Sequence, residues 1–482
     1  MDRPLSRRAE ALTASLDSGR KRQYNTGRMS GTPDVGAVVV GGGAAGLAAA
    51  LELQEGLGEV LVLDASDRPG GVMRTDHVSG YVVERGPNTF QVKAPMLDGL
   101  RRHNLESALV KAEPASRLRY VVREGELVPV PLSPVALART PLMTARGKLR
   151  VLTEPLRRRR DGRDETVAEF VTRRLGHQLM SGLVGPFLTG VYAGDEAELG
   201  AEAVFGRLVD FERRYGSIAL GGLVSGLLRR GPRGLRGSYA ATHGLGPFAR
   251  SMAERLNEPP AVGATVRELR REGPAWHLSV SSAAGDTSIR AERVVLAVPA
   301  YAAALLLRGI DARAGELADG VSYAPIVTLP IGVARKELRR EVRGFGFLAP
   351  RDAGLSMLGC LFMSQLFPGR APKEHELLHC MLGGTRWPQV ADEPEDWLLQ
   401  RALADLDQVL GLEGEAANLG AHRWPRAIPQ PGRDHVRRIR ELRARISALP
   451  GLAIAGSWVD GVSVPDTFAS GLRAAHDLSQ PI

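Results

Sequence analysis

Ala37-Val38-Val39-Val40-Gly41-Gly42-Gly43-Ala44-Ala45-Gly46 is the stretch that decides the fold. Its four leading apolar residues carry no charge and read as a short strand buried on both faces. The glycines fit Gly41-x-Gly43-x-x-Gly46, and from Ala44 the pattern turns helical through Leu47, Ala48, Ala49, Ala50, Leu51 and Leu53. Each glycine has its own task. Gly41 makes the tight turn from strand to helix, Gly43 lets a pyrophosphate approach the backbone, and Gly46 lets the helix pack on the strand. The phosphates of a dinucleotide then meet free N–H groups and the positive end of the helix dipole.

The surroundings strengthen that fingerprint. A second apolar strand, Val60-Leu61-Val62-Leu63, ends on Asp64, about twenty residues on, where an acid accepts hydrogen bonds from a ribose diol. A carboxylate there argues against a 2′-phosphate, hence against NADP. Arg68-Pro69-Gly70-Gly71-Val72-Met73-Arg74-Thr75 follows as a second glycine turn flanked by arginines. Strand, helix, strand and acid are in register for a dinucleotide site.

A chain of 482 residues predicts about three domain-sized units, and 44% apolar with 24% charged residues is the balance of a globular protein. Cys360 and Cys380 are the only cysteines, too few for an iron–sulfur cluster, a structural zinc or a disulfide framework. They read as core thiols in a reducing compartment, so any redox chemistry must come from an organic cofactor. The net charge of +9 is carried overwhelmingly by arginine. Aromatics are 5% and never interleave with the basic tracts, which argues against nucleic acid. The run Val294 to Leu307 is broken by Pro299 and too short to span a bilayer.

Taken in order, residues 1–35 are basic, lack an apolar h-region, and read as a disordered arm, with Met29 as a second candidate start. Tyr81 to Phe90 reads as a strand ending in the Gly86-Pro87 turn, Leu97 to Leu109 as a helix, and Ser116 to Val122 as a strand with alternating arginines. Arg157 to Arg160 reads as a solvated loop, with contact to anionic lipid headgroups as the alternative. Thr166-Val167-Ala168-Glu169 is a capping box for a helix that stops at Gly176. Ser217 to Leu228 is apolar and Gly-rich, and reads equally as a membrane-facing surface or a buried helix. Strands return at Thr265–Leu269, Trp276–Val280 and Arg293–Val298. Leu452 to Gly456 and the helix from Ser470 close the chain, so its ends read as one nucleotide-binding unit with other domains inserted.

Several stretches together resemble the protoporphyrinogen oxidase family of the FAD-dependent, amine oxidase-like flavoprotein superfamily, from about residue 36 to residue 478. Gly41-x-Gly43-x-x-Gly46, Asp64 and Gly70-Gly71 carry the superfamily likeness. Glu84 to Phe90, Arg117 to Val121, Gly190 to Asp195, Gly344 to Leu348, Met381 to Gly384, Ala455 to Ser457 and Gly461 to Asp466 carry the narrower one. The fold implied is α/β: a discontinuous Rossmann-type FAD-binding domain with an inserted mixed-sheet substrate domain and a mostly helical, membrane-facing domain. The expected division is a basic arm 1–35, FAD-binding parts at 36–114, 231–318 and 446–482, a helical membrane and substrate-channel domain at 115–230, and a substrate domain at 319–445.

The resemblance implies non-covalent FAD held at Gly41, Gly43, Gly46, Asp64, Gly70, Gly71 and Gly86, with flavin contacts from Val266, Gly456, Val462, Ser463 and Val464. It implies a tetrapyrrole bound by Arg117, which pairs with a propionate, and by Gly190, Ala193, Gly346, Leu348, Leu361 and Met381. The implied activity is oxidation of protoporphyrinogen IX to protoporphyrin IX by O2, with H2O2 as by-product. No acid–base residue is identified, because the flavin carries the chemistry. Expected partners are the tetrapyrrole, O2, an anionic membrane in peripheral contact, a second copy in a homodimer, and ferrochelatase for hand-over, but no metal. The expected place is the cytoplasm or the cytoplasmic face of the inner membrane. A coproporphyrinogen III oxidase and a flavin-free escort protein for prenylated GTPases are the rival readings. The departures from the family are Asp64 for a commoner glutamate, His243 in a Gly-Gly-Leu position, and Pro465-Asp466-Thr467 for Asn-Asp-Cys.

Overall fold

The computed structural model describes residues 35–159, 164–227 and 234–479. The basic arm up to residue 34, together with Arg160, lies outside them.

Strand β1 (Val35–Val40), helix α1 (Ala44–Leu57) and strand β2 (Val60–Asp64) stand where the opening motif predicts. β1 is the centre of a seven-stranded sheet, parallel to β2 on one side and to the second half of Gly285–Leu296 on the other. Leu452–Ile454 joins the far edge of Gly285–Leu296, again in parallel, which brings the end of the chain beside its start. Alternation along β1 explains the layering. Ala37 and Val39 face a core shared with α1 and the last helix, Val464–Ser479, whereas Val38 and Val40 face one shared with Ala300–Arg308, Ala312–Asp319 and His435–Ser447. Covered on both faces, a parallel strand has no polar side to show, hence the unbroken Ala-Val-Val-Val.

An eight-stranded sheet forms the second layer system. Its axis is Tyr323–Ala334, buried almost throughout, with His375–Gly383 on one side and Ala416–Asn418 with His422–Pro429 on the other. Helix Glu395–Leu410 covers one face through Leu398, Ala402, Leu406 and Val409. Cys360 and Cys380 lie opposite each other in that core as free thiols with sulfurs 3.8 Å apart, and burial pushes the Cys360 thiol well up.

Helices Val167–Leu175, Gly185–Tyr192 and Ala201–Tyr215 share a third core around Phe170, Val171 and Leu188. The capping box is present: the Glu169 N–H donates to Thr166 Oγ1 (3.2 Å) and the Thr166 N–H to Glu169 Oε2 (2.9 Å). The helix stops at Gly176, whose φ of +97° favours glycine.

Several expectations change. The helix expected over Leu97 to Leu109 instead spans Ala94–Arg102, and a 3₁₀ turn, Glu106–Ala108, leads into strand Leu109–Lys111. The strand expected over Ser116–Val122 begins only at Tyr120; Pro114 sets a 3₁₀ turn through Arg117 instead. The hairpin Tyr120–Arg123 and Glu126–Pro129, expected within the helical segment from residue 115, pairs with Gly346–Leu348 and extends the second sheet. Helix His435–Ser447, expected in the substrate domain, packs Ile439, Leu442 and Ile446 on the first sheet. Helix Ile218–Leu227 is not a core helix, for only Gly221 is buried.

The last helix approaches α1 very closely. A Cβ on Gly471 would stand 2.0 Å from the Ala45 carbonyl oxygen. Gly471→Leu is therefore expected to destabilise the cofactor half by at least about 1–3 kcal/mol, the usual cost of overpacking. The check is a lower melting temperature together with loss of flavin absorbance in the purified protein.

Candidate active site

The first glycine turn is built from backbone contacts that a side chain would destroy. Gly41 has φ +104°, and a Cβ there would lie 2.5 Å from the Ala297 carbonyl oxygen. A Cβ on Gly46 would lie 1.7 Å from the Gly41 oxygen, whereas one on Gly43 would meet nothing within 4 Å. The three glycines thus do three different things, and open ground lies over Gly43. As N-cap of α1, Gly43 brings no side-chain cap, and the first turn holds no acidic residue, so this chain leaves the helix's leading N–H groups to a ligand.

Asp64 closes the turn from the other side. Its Oδ2 accepts the Gly42 N–H (2.6 Å) and its Oδ1 the Ser66 N–H (2.8 Å) and the Ser66 hydroxyl. Of roughly four acceptor positions on a carboxylate, about one then remains for a ribose hydroxyl. The second glycine turn leans on the first. The Gly70 N–H donates to Gly42 O (2.7 Å), and a Cβ on Gly71 would stand 3.3 Å from Gly43 Cα. Arg68, read from the sequence only as a flank, holds this turn through Met73 O (3.1 Å) and Gly71 O (3.0 Å). Val266, expected at the flavin, stands two residues beyond Ala264, whose N–H donates to Asp64 O, and so lies near Asp64 instead.

Gly86 sits against the second turn, where a Cβ would lie 2.0 Å from Val72 O. Its neighbour Arg85 offers a carbonyl that accepts from Trp424 Nε1 (2.7 Å) and Thr328 Oγ1 (3.2 Å), both from the second sheet. Asn88 donates its Nδ2 to Gly86 O (3.2 Å), while its buried Oδ1 has no partner among the described residues. An orphaned buried acceptor beside this backbone is what a bound group with a donor would satisfy. At the other end of the chain, Gly456 turns at φ +145° and donates its N–H to Ser470 Oγ (3.0 Å). Val462 and Ser463 lead into the helix that opens at Val464; Ser463 Oγ accepts the Asp466 N–H (3.3 Å) and donates to its carboxylate (2.5 Å).

The residues expected to wall a substrate gather on one face of the second sheet. Leu348, Leu361 and Met381 are half-buried, whereas their strand neighbours Phe347, Cys360, Cys380 and Leu382 point into the opposite core. Gly346 pairs with Leu361, and a Cβ there would lie 2.1 Å from Cys360 O. Gly190 brings helix Gly185–Tyr192 onto Leu348, with 2.4 Å from a notional Cβ to Leu348 Cδ2. Ala193 ends that helix in the left-handed region, φ +49°.

Arg117 is not brought to that face. It ends the 3₁₀ turn, exposed to solvent. Arg119, two residues on, is brought there. Tyr120 lies opposite Phe347 and shares its core, so Arg119 falls on the same side as Gly346 and Leu348. Its guanidinium lies 4.2 Å over the Phe345 ring, donates to Ser238 Oγ (3.4 Å) and pairs with no carboxylate among the described residues. Burial holds its pKa below the usual arginine value. The Arg117-Leu118-Arg119 alternation held the signal; the 3₁₀ turn that ends at Arg117 tells the two apart.

Glycine turns, ribose acid and C-terminal turn define a dinucleotide-binding flavoprotein, and comparison agrees. The model of the flavin containing amine oxidoreductases matches residues 44–479, and the chain belongs to that family. Within it, the chain is 32% identical to a chloroplastic protoporphyrinogen oxidase of Oryza sativa subsp. japonica, over 92% of this chain and 88% of the relative. It is 26% identical to the coproporphyrinogen III oxidase of Bacillus subtilis (strain 168), over 91% and 97%. The fold is shared with the crystal structure of cyclohexylamine oxidase from Brevibacterium oxydans IH-35A, at a TM-score of 0.67 and 16% identity over 93% and 99% of the two chains. A flavin carried on a dinucleotide cleft is FAD, and the residues fit it: two glycine cradles, a spare acceptor on Asp64 and the unpartnered Asn88 Oδ1.

Asp64→Asn would turn an amide N–H toward the Gly42 N–H or leave a single acceptor there, with loss of charged hydrogen bonds worth about 1.5–3 kcal/mol. FAD affinity is expected to fall roughly 10–100-fold. Flavin-to-protein absorbance after dialysis, and titration of the stripped protein with FAD, measure it.

Proposed function

We propose that the protein is an FAD-dependent oxidase of a porphyrinogen, with protoporphyrinogen IX as substrate. What carries the proposal is an apolar sheet face bearing a half-buried guanidinium with no carboxylate partner among the described residues, in a flavoprotein chain 32% identical to a protoporphyrinogen oxidase. A porphyrinogen is a bulky apolar macrocycle with carboxylate arms, and such a pocket needs apolar walls and a few placed cations. Leu348, Leu361 and Met381, with Gly190, Ala193 and Gly346 keeping room, are the walls in this proposal. Arg119 is its carboxylate anchor, with the exposed Arg117 at the mouth. When bound, FAD supplies a hydride acceptor that O2 restores with release of H2O2. The protein's own contribution is to orient the macrocycle and keep water from it; no side chain is assigned as acid or base. On the cofactor side, Gly41, Gly43, Gly46, Gly70 and Gly71 take the pyrophosphate, Asp64 and Val266 the adenosine end, and Gly86, Gly456, Val462, Ser463 and Val464 the flavin.

A coproporphyrinogen III oxidase is the second reading, favoured by the likeness to the Bacillus subtilis enzyme. A paired fluorescence assay in air, with non-enzymatic oxidation subtracted, separates them. Faster turnover of protoporphyrinogen IX is expected. Faster turnover of coproporphyrinogen III would move the substrate and leave fold and cofactor in place. In the preferred case Arg119→Ala lowers kcat/KM roughly 10–150-fold, as loss of a charged hydrogen-bond pair does, while Arg117→Ala changes it less. Equal losses in the two variants would refute the anchor assignment.

The helical unit extends the proposal to a membrane. Leu152, Leu156, Leu223 and Leu227 are 62–84% exposed, and Arg157 and Arg158 beside them face solvent. Glu154 holds that arrangement: buried at the N-terminus of Ile218–Leu227, it accepts the N–H groups of Ile218 (3.0 Å) and Ala219 (3.2 Å). Among the described residues no helix is long and apolar enough to cross a membrane. An apolar patch with a basic fringe suits peripheral docking on anionic lipid, at the cytoplasmic face in this proposal. Leu223→Glu with Leu227→Glu is expected to abolish co-sedimentation with phosphatidylglycerol vesicles and to leave turnover in detergent unchanged. Undiminished sedimentation would remove the docking surface from the proposal.

A further inference from the structure

Arg386 is a half-buried arginine that the porphyrinogen reading leaves without a task. It ends the 3₁₀ turn Gly384–Arg386 at the end of the central strand His375–Gly383. Its Nη2 donates to Thr189 Oγ1 (2.7 Å) in helix Gly185–Tyr192, and its Nη1 to Ala349 O (3.1 Å), just beyond strand Gly346–Leu348. Two more contacts join the same turn to the same helix. The Thr385 N–H donates to Ala193 O (2.8 Å), and Gly384, with φ +72°, lies so close that a Cβ would stand 2.4 Å from Ala193 O. Thr189 is itself buried, so its hydroxyl finds its partner in Arg386 rather than in water. No carboxylate lies within ion-pair distance of the guanidinium among the described residues. The nearby acids Asp195 and Glu196 are engaged by Arg351, with Asp195 Oδ2 at 2.6 Å and Glu196 Oε2 at 3.8 Å.

The helix needs such a tie. It follows a π-helical turn, Met180–Val184, and carries Pro186 in its first turn, so its own backbone ladder gives a loose start. Gly190 lies one residue from Thr189 and is the point where the helix meets Leu348. A guanidinium that grips Thr189 on one side and Ala349 on the other therefore fixes the gap between Gly190 and the strand of Leu348. We propose that Arg386 is a positioning residue: it sets the separation of helix Gly185–Tyr192 from the substrate face, and with it the fit of the macrocycle. The fork suits this task, since a planar guanidinium reaches both acceptors at fixed spacing, whereas an ammonium holds them less firmly.

This rests on the porphyrinogen reading for its kinetic part and on geometry alone for its structural part. The test uses the flavin-loaded protein with Arg386→Ala, Arg386→Lys and Thr189→Val, the last removing one acceptor and no charge. Hydrogen exchange of the amides 185–193 is measured first, with melting temperature and flavin absorbance alongside. Faster exchange confined to that helix is expected in Arg386→Ala and, to a lesser degree, in Thr189→Val; unchanged exchange in both overturns the proposal. KM and kcat are then measured with the better porphyrinogen, and Kd for protoporphyrin IX is read from tryptophan quenching. A roughly tenfold rise in KM and Kd with kcat nearly constant is expected for Arg386→Ala, with partial rescue by lysine. A loosened helix with KM and Kd unmoved overturns the positioning role. Wild-type protein that turns over neither porphyrinogen sinks the functional reading instead, and the exchange measurement still decides whether the clamp exists.

Discussion

The distance of 1.7 Å between a notional Cβ on Gly46 and the carbonyl oxygen of Gly41 is the constraint from which the cofactor half follows. No side chain tolerates it, so the chain can bring the first turn of α1 down onto the end of β1 only with glycine there. Once α1 lies that low, its Ala45 carbonyl becomes the floor against which Gly471 of the last helix packs. The two close approaches clamp α1 between a turn at residue 41 and a helix some 430 residues later. That is how the helix opening at Val464, far along the chain, comes to pack on the helix that Gly43 opens.

A second junction joins the cofactor half to the substrate sheet, and it is polar. Arg85 hydrogen-bonds in three directions: its Nε to Asp76 Oδ2 (2.8 Å), its Nη2 to Leu419 O (2.9 Å), and its own carbonyl to Trp424 and Thr328. Asp76 responds with a carboxyl held below its ordinary range, where burial is outweighed by the hydrogen bonds and charges of Arg85 and Arg74. Gly86 is the next residue, so the backbone proposed to meet the flavin is fixed from both sheets at once. Buried networks of this kind are stiff because every donor has an acceptor and none can move singly. Hydride transfer depends on such stiffness, since an error of an ångström between donor and acceptor carbons is costly.

The parts of this structure that were legible in the sequence are those fixed by short-range chemistry. Gly41, Gly43 and Gly46 are spaced by the geometry of one turn, and Thr166 with Glu169 by one capping box. Asp64 ends a strand whose length its apolar run declares. What was not legible depends on pairing across long separations. Nothing near residue 120 announces that it will lie beside Phe347. The apolar stripe of Ile439, Leu442 and Ile446 says that helix His435–Ser447 has a buried side, not which sheet it faces. The exchange of Arg117 for Arg119 has the same origin. Both are arginines two residues apart, and a strand of period two would put them on one face. The 3₁₀ turn begun at Pro114 takes Arg117 out of that alternation.

The arginine-rich composition invites a reading in terms of net charge, and the structure assigns most of the guanidinia named here a different role. Arg68 ties three carbonyls of a glycine turn, Arg370 reaches Ala241 O (2.7 Å) and the buried Glu84 (3.3 Å), and Arg174 is buried against Glu154. A planar fork with five donors can satisfy several backbone oxygens from one side chain, which a lysine cannot. In a fold with so many glycine turns, loose carbonyls are plentiful and arginine is the economical donor. Against that background Arg119 is the exception. It is drawn out of water and stacked on Phe345, yet among the described residues its side chain makes only a long hydrogen bond, to a serine hydroxyl. Taking a charge from water without an opposing charge is unfavourable, and burial has already lowered its pKa. In the proposed role, a substrate carboxylate would remove that penalty on binding. The same desolvation that makes Arg119 costly without an anion would, in that proposal, make its hold on an anionic arm strong.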